Sequence, residues 1–151
     1  MSEDFADAWA ISIATLQLAN RLIDAIQEGV RGAGHLDVRP VHGFAFMHIA
    51  AGTATVATLG EYLGVSKQAA AQLVDRLVRA GYVQRRPHPR DQRSQLLELT
   101  PAGHAVTHVA QRTAMATVAA WRTELDPGDR PAFERSLLTL TAGYETVRPT
   151  W

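Results

Sequence analysis

Apolar residues near the start of the chain recur at alternating spacings of four and three. The series runs through seven positions, of which one is polar: Phe5, Trp9, Ser12, Leu16, Ala19, Ile23 and Ile26. This alternation is typical of a helix that packs along a seam, and further leucines and isoleucines beside the seam widen its apolar surface. The pattern predicts a helix over residues 5–27 that serves as an interface, with Gly29, Gly32 and Gly34 interrupting it.

The middle of the chain contains signals for three further helices. Pro40 is tolerated in the first turn of a helix and predicts a short one over residues 40–50. Residues 53–83 predict two helices joined by a sharp turn, in which Gly64 supplies conformational freedom, Val65 fills the corner and Ser66 caps the second helix. Gly81 is expected just past the end of that helix. Its core face is predicted from helical spacing: Ala70, Leu73, Val74 and Leu77.

The second half of the chain predicts a hairpin followed by two helices. Residues 82–86 and 95–99 are expected to form short strands on either side of a basic, proline-containing loop. Thr100 and Pro101 are a helix cap and a first-turn proline, and this helix is expected to reach residue 121 or 123. Asp126 and Pro127 repeat that signal before a final helix marked by four apolar residues: Phe133, Leu137, Leu140 and Tyr144. The predicted fold class is therefore mainly α with a small β-hairpin wing.

The composition excludes several classes of protein, and the charge is unevenly distributed along the chain. The 151 residues include no cysteine, which excludes a disulfide scaffold, a thiol nucleophile and Cys-based metal sites. The acidic N-terminus differs from a signal peptide and no apolar run approaches the ~18–20 residues of a membrane span, so we expect a cytoplasmic protein. The net charge is zero, but residues 60–93 carry seven Lys and Arg against three Asp and Glu, a net +4. Within it, residues 85–93 hold four arginines and one aspartate, a cluster typical either of a solvated turn or of a surface that binds a polyanion.

A helix, a glycine turn, a second helix and a basic hairpin follow one another in the order of a winged helix-turn-helix. The N-terminus of a Ser-capped helix attracts phosphate, and an α-helix fits the ~12 Å major groove of DNA. On the outward face of the second helix, Gln68 and Gln72 suit adenine edges, and Ala69 and Ala71 suit thymine methyl groups. Contacts to phosphates or to a minor groove are expected from the cap, the basic residues and the wing: Ser66, Lys67, Arg76, Arg85, Arg86, Arg90, Asp91 and Arg93.

The stretch LGEYLGVSKQAAAQLVDRLVRAGYVQRR, residues 59–86, resembles the multiple-antibiotic-resistance regulator (MarR) family of winged helix-turn-helix transcription factors. The wing motif D-x-R at Asp91 and Arg93, and the helix entry LELTPAG at residues 97–103, match the pattern of that family. The recognition helix departs from the pattern, since three alanines at 69–71 replace more usual Thr, Val and Ser or Thr, and Gln72 stands where Arg is common. Base recognition is therefore expected to rely on Gln68, Gln72 and DNA shape.

The resemblance implies a fold and a function for nearly the whole chain. It implies one chain, residues 1–151, with a winged helix-turn-helix region at 37–100 and dimerisation helices at 5–27 and 101–147. It also implies a homodimeric repressor that binds a pseudo-palindromic double-stranded DNA operator and is released by a small aromatic or phenolic effector. In the wing, Asp91 would orient Arg93 toward a minor groove, and a plain ion pair within the loop is the alternative.

Other interpretations of particular residues are open at this point. His104 and His108 are four residues apart on one predicted helix, a spacing that lets two imidazoles bind one metal ion, although no HExxH motif is present. The sequence contains no Gly-rich phosphate loop and no Gly-x-Ser-x-Gly motif, so neither an enzyme nor a cofactor is expected. A winged-helix protein-interaction module, or a metal-responsive regulator without a phenolic ligand, is the alternative function. Four residues are candidates for an effector pocket, with core packing as the alternative: Trp9, His42, Phe44 and Phe46.

Overall fold

The computed structural model describes residues 3–91 and 93–144, the side chains of residues 3–5 excepted, and within them six helices and one hairpin follow in order. Four helices precede the hairpin: α1 (Glu3–Gly32), α2 (Pro40–Ala50), α3 (Val56–Leu63) and α4 (Lys67–Arg79). Strands β1 (Val83–Pro87) and β2 (Gln95–Leu99) pair antiparallel, with Val83 opposite Leu99. Two helices follow the hairpin: α5 (Pro101–Glu124) and α6 (Arg130–Thr141). The predicted fold class, mainly helical with a small hairpin, is confirmed.

Side chains that accept backbone N–H groups begin three of these helices. Thr55, Ser66 and Thr100 each accept the N–H of the residue three positions on, at 3.2, 3.1 and 3.2 Å. These bonds satisfy donors that the first helical turn leaves unpaired. Gly64 adopts the left-handed conformation with a φ of 69°, which permits the sharp turn between α3 and α4. The caps predicted at Ser66 and Thr100, and the turn predicted at Gly64, are confirmed.

The hydrophobic core lies between α2, α3, α4 and the hairpin. Of the seventeen apolar residues buried in the described part of the chain, fifteen fall between Val38 and Leu99. All four residues of the predicted core face of α4 are among them. The N–H of Leu97 donates to the carbonyl of Ala54 at 2.8 Å, which ties β2 to the segment before α3. This core therefore fixes the position of α4 relative to the hairpin.

Helices α1 and α5 pack against each other in antiparallel orientation outside this core. Arg21 of α1 forms an ion pair with Glu124 of α5 at 3.1 Å, and its guanidinium carbon lies 5.7 Å from the ring centre of Trp121. Helix α6 has no buried residue. The three terminal helices expose eight large apolar side chains, which we call the terminal apolar surface: Trp9, Ile11, Leu16, Met115, Val118, Leu137, Leu138 and Leu140.

Two predictions about the first half of the chain are corrected. Helix α1 continues to Gly32 instead of ending at residue 27, because Gly29 is a helical residue at a close approach to α5. A Cβ atom on Gly29 would overlap Thr113 Oγ1 and lie 3.1 Å from Thr113 Cβ, so glycine permits the contact and does not end the helix. The corner between α3 and α4 is closed by Ala70, which is fully buried, whereas Val65 is 43% exposed.

Further corrections concern the hairpin and the last helix. Strand β1 is shifted by one residue and includes Pro87, which an edge strand tolerates at its end. Helix α6 begins at Arg130, not at the predicted cap, because residues 126–129 form a turn in which Asp129 N–H donates to the carbonyl of Asp126 at 3.0 Å. The helix ends at Thr141, so Tyr144 lies beyond it. The side chain of Phe5 in the predicted seam, and residues 145–147 of the predicted dimerisation region, lie outside the described part. Within that part, none of the helices is both long and apolar enough to cross a membrane.

Candidate nucleic-acid interface

The outer face of α4 is the first part of the candidate interface. Ser66 caps the helix, so an N-terminus with partial positive charge lies at the surface. Ala71 is half-buried, which leaves less of its methyl group accessible to a base than the sequence suggested. The face thus presents two amides and two cations opposite the buried side of the helix. Five of the predicted contact residues on α4 are exposed: Lys67, Gln68, Ala69, Gln72 and Arg76.

Ion pairs within the chain hold the two arginines at the base of the wing. Arg85 Nη2 of β1 donates to Asp75 Oδ1 of α4 at 2.6 Å. Arg86 Nε donates to Glu98 Oε2 of β2 at 2.5 Å, and Gln84 Nε2 donates to the same oxygen at 3.2 Å. Such partly exposed pairs contribute only about 0–1 kcal/mol each, but the first joins the wing to the recognition helix. Arg85 and Arg86 therefore have protein partners, which the sequence did not predict.

The wing loop between β1 and β2 is organised by its own backbone and by Asp91. Asp91 Oδ1 accepts the backbone N–H of Arg93 at 2.9 Å, and the Asp91 carbonyl accepts the N–H of Ser94 at 3.1 Å. A bond from an aspartate side chain to the backbone two residues on is common in turns. A plain Asp91–Arg93 ion pair, the alternative considered from the sequence, is not found in the described residues. The side chains of Arg90 and Arg93 are exposed and form no ion pair with any described residue.

A cavity of about 460 Å³ lies between α1, α2 and α5. Of the four residues predicted for an effector pocket, Phe44 and Phe46 line it, and Trp9 and His42 do not. Trp9 is 63% exposed, so within one chain it neither lines a pocket nor packs in the core. Phe46 is 1% exposed and also belongs to the core. Helices α1 and α5 supply much of the remaining wall, through residues that include Leu22, Ile23, Ile26, Val106 and Ala110.

The two histidines of α2 are partly buried and each has a hydrogen-bond partner. The pKa of His42 is lowered by burial and then by the nearby charge of Arg76. His42 Nδ1 accepts the backbone N–H of Arg39 at 3.1 Å, so this ring helps to begin the helix. Burial also lowers the pKa of His48, whose ring stacks on Tyr62 with 4.6 Å between the ring centres. Both shifts favour the neutral form of the ring.

The histidine pair of α5 has no further metal ligands nearby in the described part of the chain. His104 and His108 are both exposed, one helical turn apart. No group of three or more His, Cys, Asp or Glu side chains able to hold a metal ion occurs among the described residues. The pair alone would supply two of the four ligands that a structural zinc ion takes.

A polar cluster that the sequence did not reveal lies where α4 meets the wing. Tyr82 is buried just before β1, its hydroxyl donates to Asp37 Oδ1 at 2.9 Å, and His35 Nδ1 lies 3.2 Å from that hydroxyl. Burial, followed by the bond to Asp37, raises the pKa of Tyr82 to about 12. Its ring packs on Phe46 with 5.8 Å between the ring centres, which connects the cavity wall to the wing. Tyr82 is 45 residues from Asp37 and 47 from His35, and no local sequence pattern predicts a contact at such a separation.

The arrangement of α2, α3, α4 and the hairpin is that of a winged helix-turn-helix, a fold class of DNA-binding regulators. Residues 36–94 match the model of the MarR family. This match covers the helix-turn-helix and the wing, and for that part of the chain it confirms the resemblance seen in the sequence. Comparison with curated protein sequences gives no significant match.

Solved structures share this fold over nearly the whole chain. RV1404 from Mycobacterium tuberculosis has a TM-score of 0.79 and 24% identity, with 93% of this chain and 95% of that one covered. MarR from E. coli in its apo form has a TM-score of 0.69 and 21% identity, with 85% and 94% covered. A mutant of E. coli MarR complexed with operator DNA has a TM-score of 0.66 and 21% identity, with 92% and 99% covered. These similarities establish the fold.

Proposed function

We propose that this protein is a cytoplasmic homodimeric repressor that binds a pseudo-palindromic DNA operator and acts without catalysis or a cofactor. The observation that carries the proposal is the exposed polar face of α4 beside a wing whose Arg90 and Arg93 side chains are exposed. The segment from 60 to 93 has seven basic and three acidic residues in a neutral chain, so positive charge is concentrated where DNA would lie. The operator complex of the E. coli MarR mutant, which has this fold, supports DNA as the partner.

In the proposed complex each protomer inserts α4 into a major groove. Gln68 and Gln72 contact adenine edges, and the methyl group of Ala69 contacts thymine. The cap residue Ser66, Lys67 and Arg76 bind phosphates, which position the helix without specifying sequence. Half-buried Ala71 has a smaller share in these contacts. Base recognition then depends mainly on the two glutamines.

The wing supplies the second set of proposed contacts. Arg90 and Arg93 enter the neighbouring minor groove, whose negative potential attracts guanidinium groups. Asp91 shapes the loop that carries them, through its bond to the Arg93 backbone. Arg85 and Arg86 lie at the base of the wing and contact phosphates only with the side of the guanidinium that their acidic partners leave open.

A second copy of the chain covers the terminal apolar surface in the proposed dimer. Its eight large apolar side chains are exposed in a single chain, and contact with a partner would remove them from water. Residues 37–100 form the DNA-binding region, and helices α1, α5 and α6 form the dimerisation region. Two-fold symmetry then places two α4 helices in successive major grooves, on half-sites about 10 base pairs apart.

A small ligand in the cavity between α1, α2 and α5 is proposed to relieve repression. Its binding favours one separation of the two α4 helices, and it changes DNA affinity only by its differential affinity for the two states. Phe46 lines the cavity and packs on Tyr82, the residue before β1, so a contiguous set of contacts joins the ligand site to the wing. A ligand that saturates the protein without changing operator affinity would contradict this part of the proposal.

Selection from random duplex DNA at two salt concentrations tests the main proposal. We expect recovery of an inverted repeat with half-sites about 10 base pairs apart, bound less tightly at the higher salt concentration. A folded dimer that shows no salt-sensitive binding would overturn the proposal. That result would favour the protein-interaction alternative, and a zinc-binding assay on His104→Ala and His108→Ala variants would then test the metal-responsive one.

Two substitutions, the first with a matched control, examine the proposed roles more closely. Arg93→Ala should weaken binding and reduce the salt slope by about 0.9 for each phosphate that the arginine neutralises in a protomer. Arg86→Ala is the control, because Glu98 already neutralises that arginine and we expect a smaller change. Gln72→Ala should instead alter the preferred base, and an equal loss of affinity on every sequence would assign Gln72 to the DNA backbone.

A further inference from the structure

The cavity between α1, α2 and α5 has a wall that is almost entirely hydrocarbon. Eighteen residues line it, and Arg39 is the one charged residue among them. Arg39 is an exposed residue. The volume of about 460 Å³ falls within the range of small-molecule sites.

Two polar side chains of the wall have hydrogen-bond partners in the protein. Thr107 Oγ1 donates its proton to the carbonyl of Gly103 at 2.9 Å. Gln27 Nε2 donates to the carbonyl of Val38 at 2.5 Å. Gln111 is exposed at the edge. An anion placed inside this cavity would therefore lose its water to a wall whose one charged side chain belongs to an exposed residue, Arg39, which is unfavourable.

The charges around the rim give no net attraction for an anion either. A shallow depression beside the cavity shares Gln27, Arg39 and Pro40 with it. Its remaining wall includes Asp24, Glu28 and Arg31, so two acidic and two basic side chains line this depression. The two carboxylates offset the charge of the two arginines, so the depression has no net charge.

We propose that this cavity binds an uncharged, predominantly hydrocarbon molecule and discriminates against carboxylates and phenolates. The inference rests on the proposed function, because it specifies the chemical class of the ligand that relieves repression. A neutral phenol remains acceptable, since its hydroxyl is protonated at physiological pH. The effector class implied by the family resemblance, small aromatic or phenolic molecules, is thereby narrowed to its neutral members.

A matched pair of ligands tests the proposal on the full-length protein. Methyl 4-tert-butylbenzoate is neutral, and 4-tert-butylbenzoate has the same skeleton with a negative charge. Titration calorimetry near pH 7 should show that the ester binds at least about tenfold more tightly, because the carboxylate must be desolvated. Ala110→Phe, which fills the cavity from α5, should abolish binding of the ester, and Ala105→Phe on the exposed side of the same helix should not. Thermal melting confirms that both variants fold.

Each other outcome contradicts the proposal in a distinct way. Tighter binding of the carboxylate, abolished in Arg39→Gln, would show that the cavity takes acids at its rim. No binding of the ester by the folded wild-type protein, or equal binding by Ala110→Phe, would show that the cavity is not a site for apolar ligands. Operator selection on the same preparation separates this failure from that of the proposed function. A protein that recovers an operator but binds no ester contradicts only the ligand class, and one that binds the ester but no DNA contradicts only the repressor.

Discussion

The winged-helix region and the terminal helices place their apolar side chains in opposite ways. Between Val38 and Leu99 the described chain buries fifteen apolar residues and exposes only two large ones, Met47 and Val65. The helices α1 and α5 together bury two, Val30 and Val106, and α6 buries none. These three helices instead carry the eight exposed side chains of the terminal apolar surface.

This difference means that the first region buries its apolar side chains within one chain, whereas the second leaves many of them exposed. The winged-helix core excludes water within a single protomer, so its stability depends on packing inside the chain. The terminal helices gain most of their apolar burial only if another surface covers them, and in the proposed dimer that surface is a second copy. Stability of the two regions should therefore respond differently to mutation and to protein concentration.

The largest expected effect is in the winged-helix core. Phe46→Ala removes a ring that is 1% exposed, and we expect the free energy of unfolding to fall by about 3–5 kcal/mol through reduced burial and the cavity left behind. Urea denaturation at several protein concentrations measures this change. The destabilisation should be the same at every concentration, because it arises within one chain.

Trp9→Ala is the matched control for that substitution, since Trp9 is an aromatic residue that is 63% exposed. In dilute solution, where protomers separate, it should change the free energy of unfolding by no more than about 0.5 kcal/mol. At high concentration the destabilisation should grow, because the side chain is then covered by the partner. Equal destabilisation by Phe46→Ala and Trp9→Ala in dilute solution would remove the contrast between the two regions.

A smaller effect is expected on the association of two protomers when an exposed leucine of α6 is replaced. Leu138→Ser on α6 removes an apolar side chain that is 71% exposed in one chain and covered in the proposed dimer. Burial of a leucine contributes roughly 1.5–3 kcal/mol, so the dissociation constant should rise about 10- to 100-fold for each leucine removed from the interface. Analytical ultracentrifugation measures this constant. Leu36→Ser is the control, because Leu36 is 72% exposed but lies outside the terminal helices. A comparable rise in the dissociation constant for Leu36→Ser would refute the assignment of the interface.

Local signals in the sequence were enough to predict most of the fold. Ser66 and Thr100 act through atoms three residues away, and Gly64 acts through its own backbone, so each can be recognised without knowledge of the tertiary structure. The core face of α4 follows from helical spacing alone. The prediction was wrong where a distant residue decides the outcome, as at Gly29, whose role depends on Thr113 of another helix.

The candidate site shows the same division. The exposed face of α4 could be predicted because it is the side of the helix opposite a recognisable core face. The partners of Arg85 and Arg86 could not, since Asp75 is on another element and Glu98 is on the opposite strand. The walls of the cavity come from three helices that the sequence does not place next to one another. Side-chain pairing across elements therefore required the structure.

A modest effect is expected at the close approach between α1 and α5. Gly29→Ala gains about 1 kcal/mol of helix propensity but overlaps Thr113, and overpacking of this kind costs about 1–3 kcal/mol. We therefore expect net destabilisation, measured by urea denaturation. Gly32→Ala is the matched control on the same helix, where a Cβ atom meets nothing within 4 Å, and it should be neutral or stabilising. If both variants were equally stable, or if Thr113→Ala failed to rescue Gly29→Ala, close packing of the two helices would be refuted.

The smallest expected effect is a pH dependence that arises within the winged-helix region. Burial lowers the pKa of both His42 and His48 from 6.5, so the unfolded chain binds protons more readily than the native protein near that pH. The free energy of unfolding should therefore fall as the pH decreases below about 6.5 and level off below the lowered native values. Urea denaturation between about pH 7.5 and 5.5 measures this slope. His48→Gln should flatten the slope. His104→Gln, on the exposed face of α5, should leave the slope closer to that of the wild type. A larger change in slope for His104→Gln than for His48→Gln would place the titrating groups on the terminal helices.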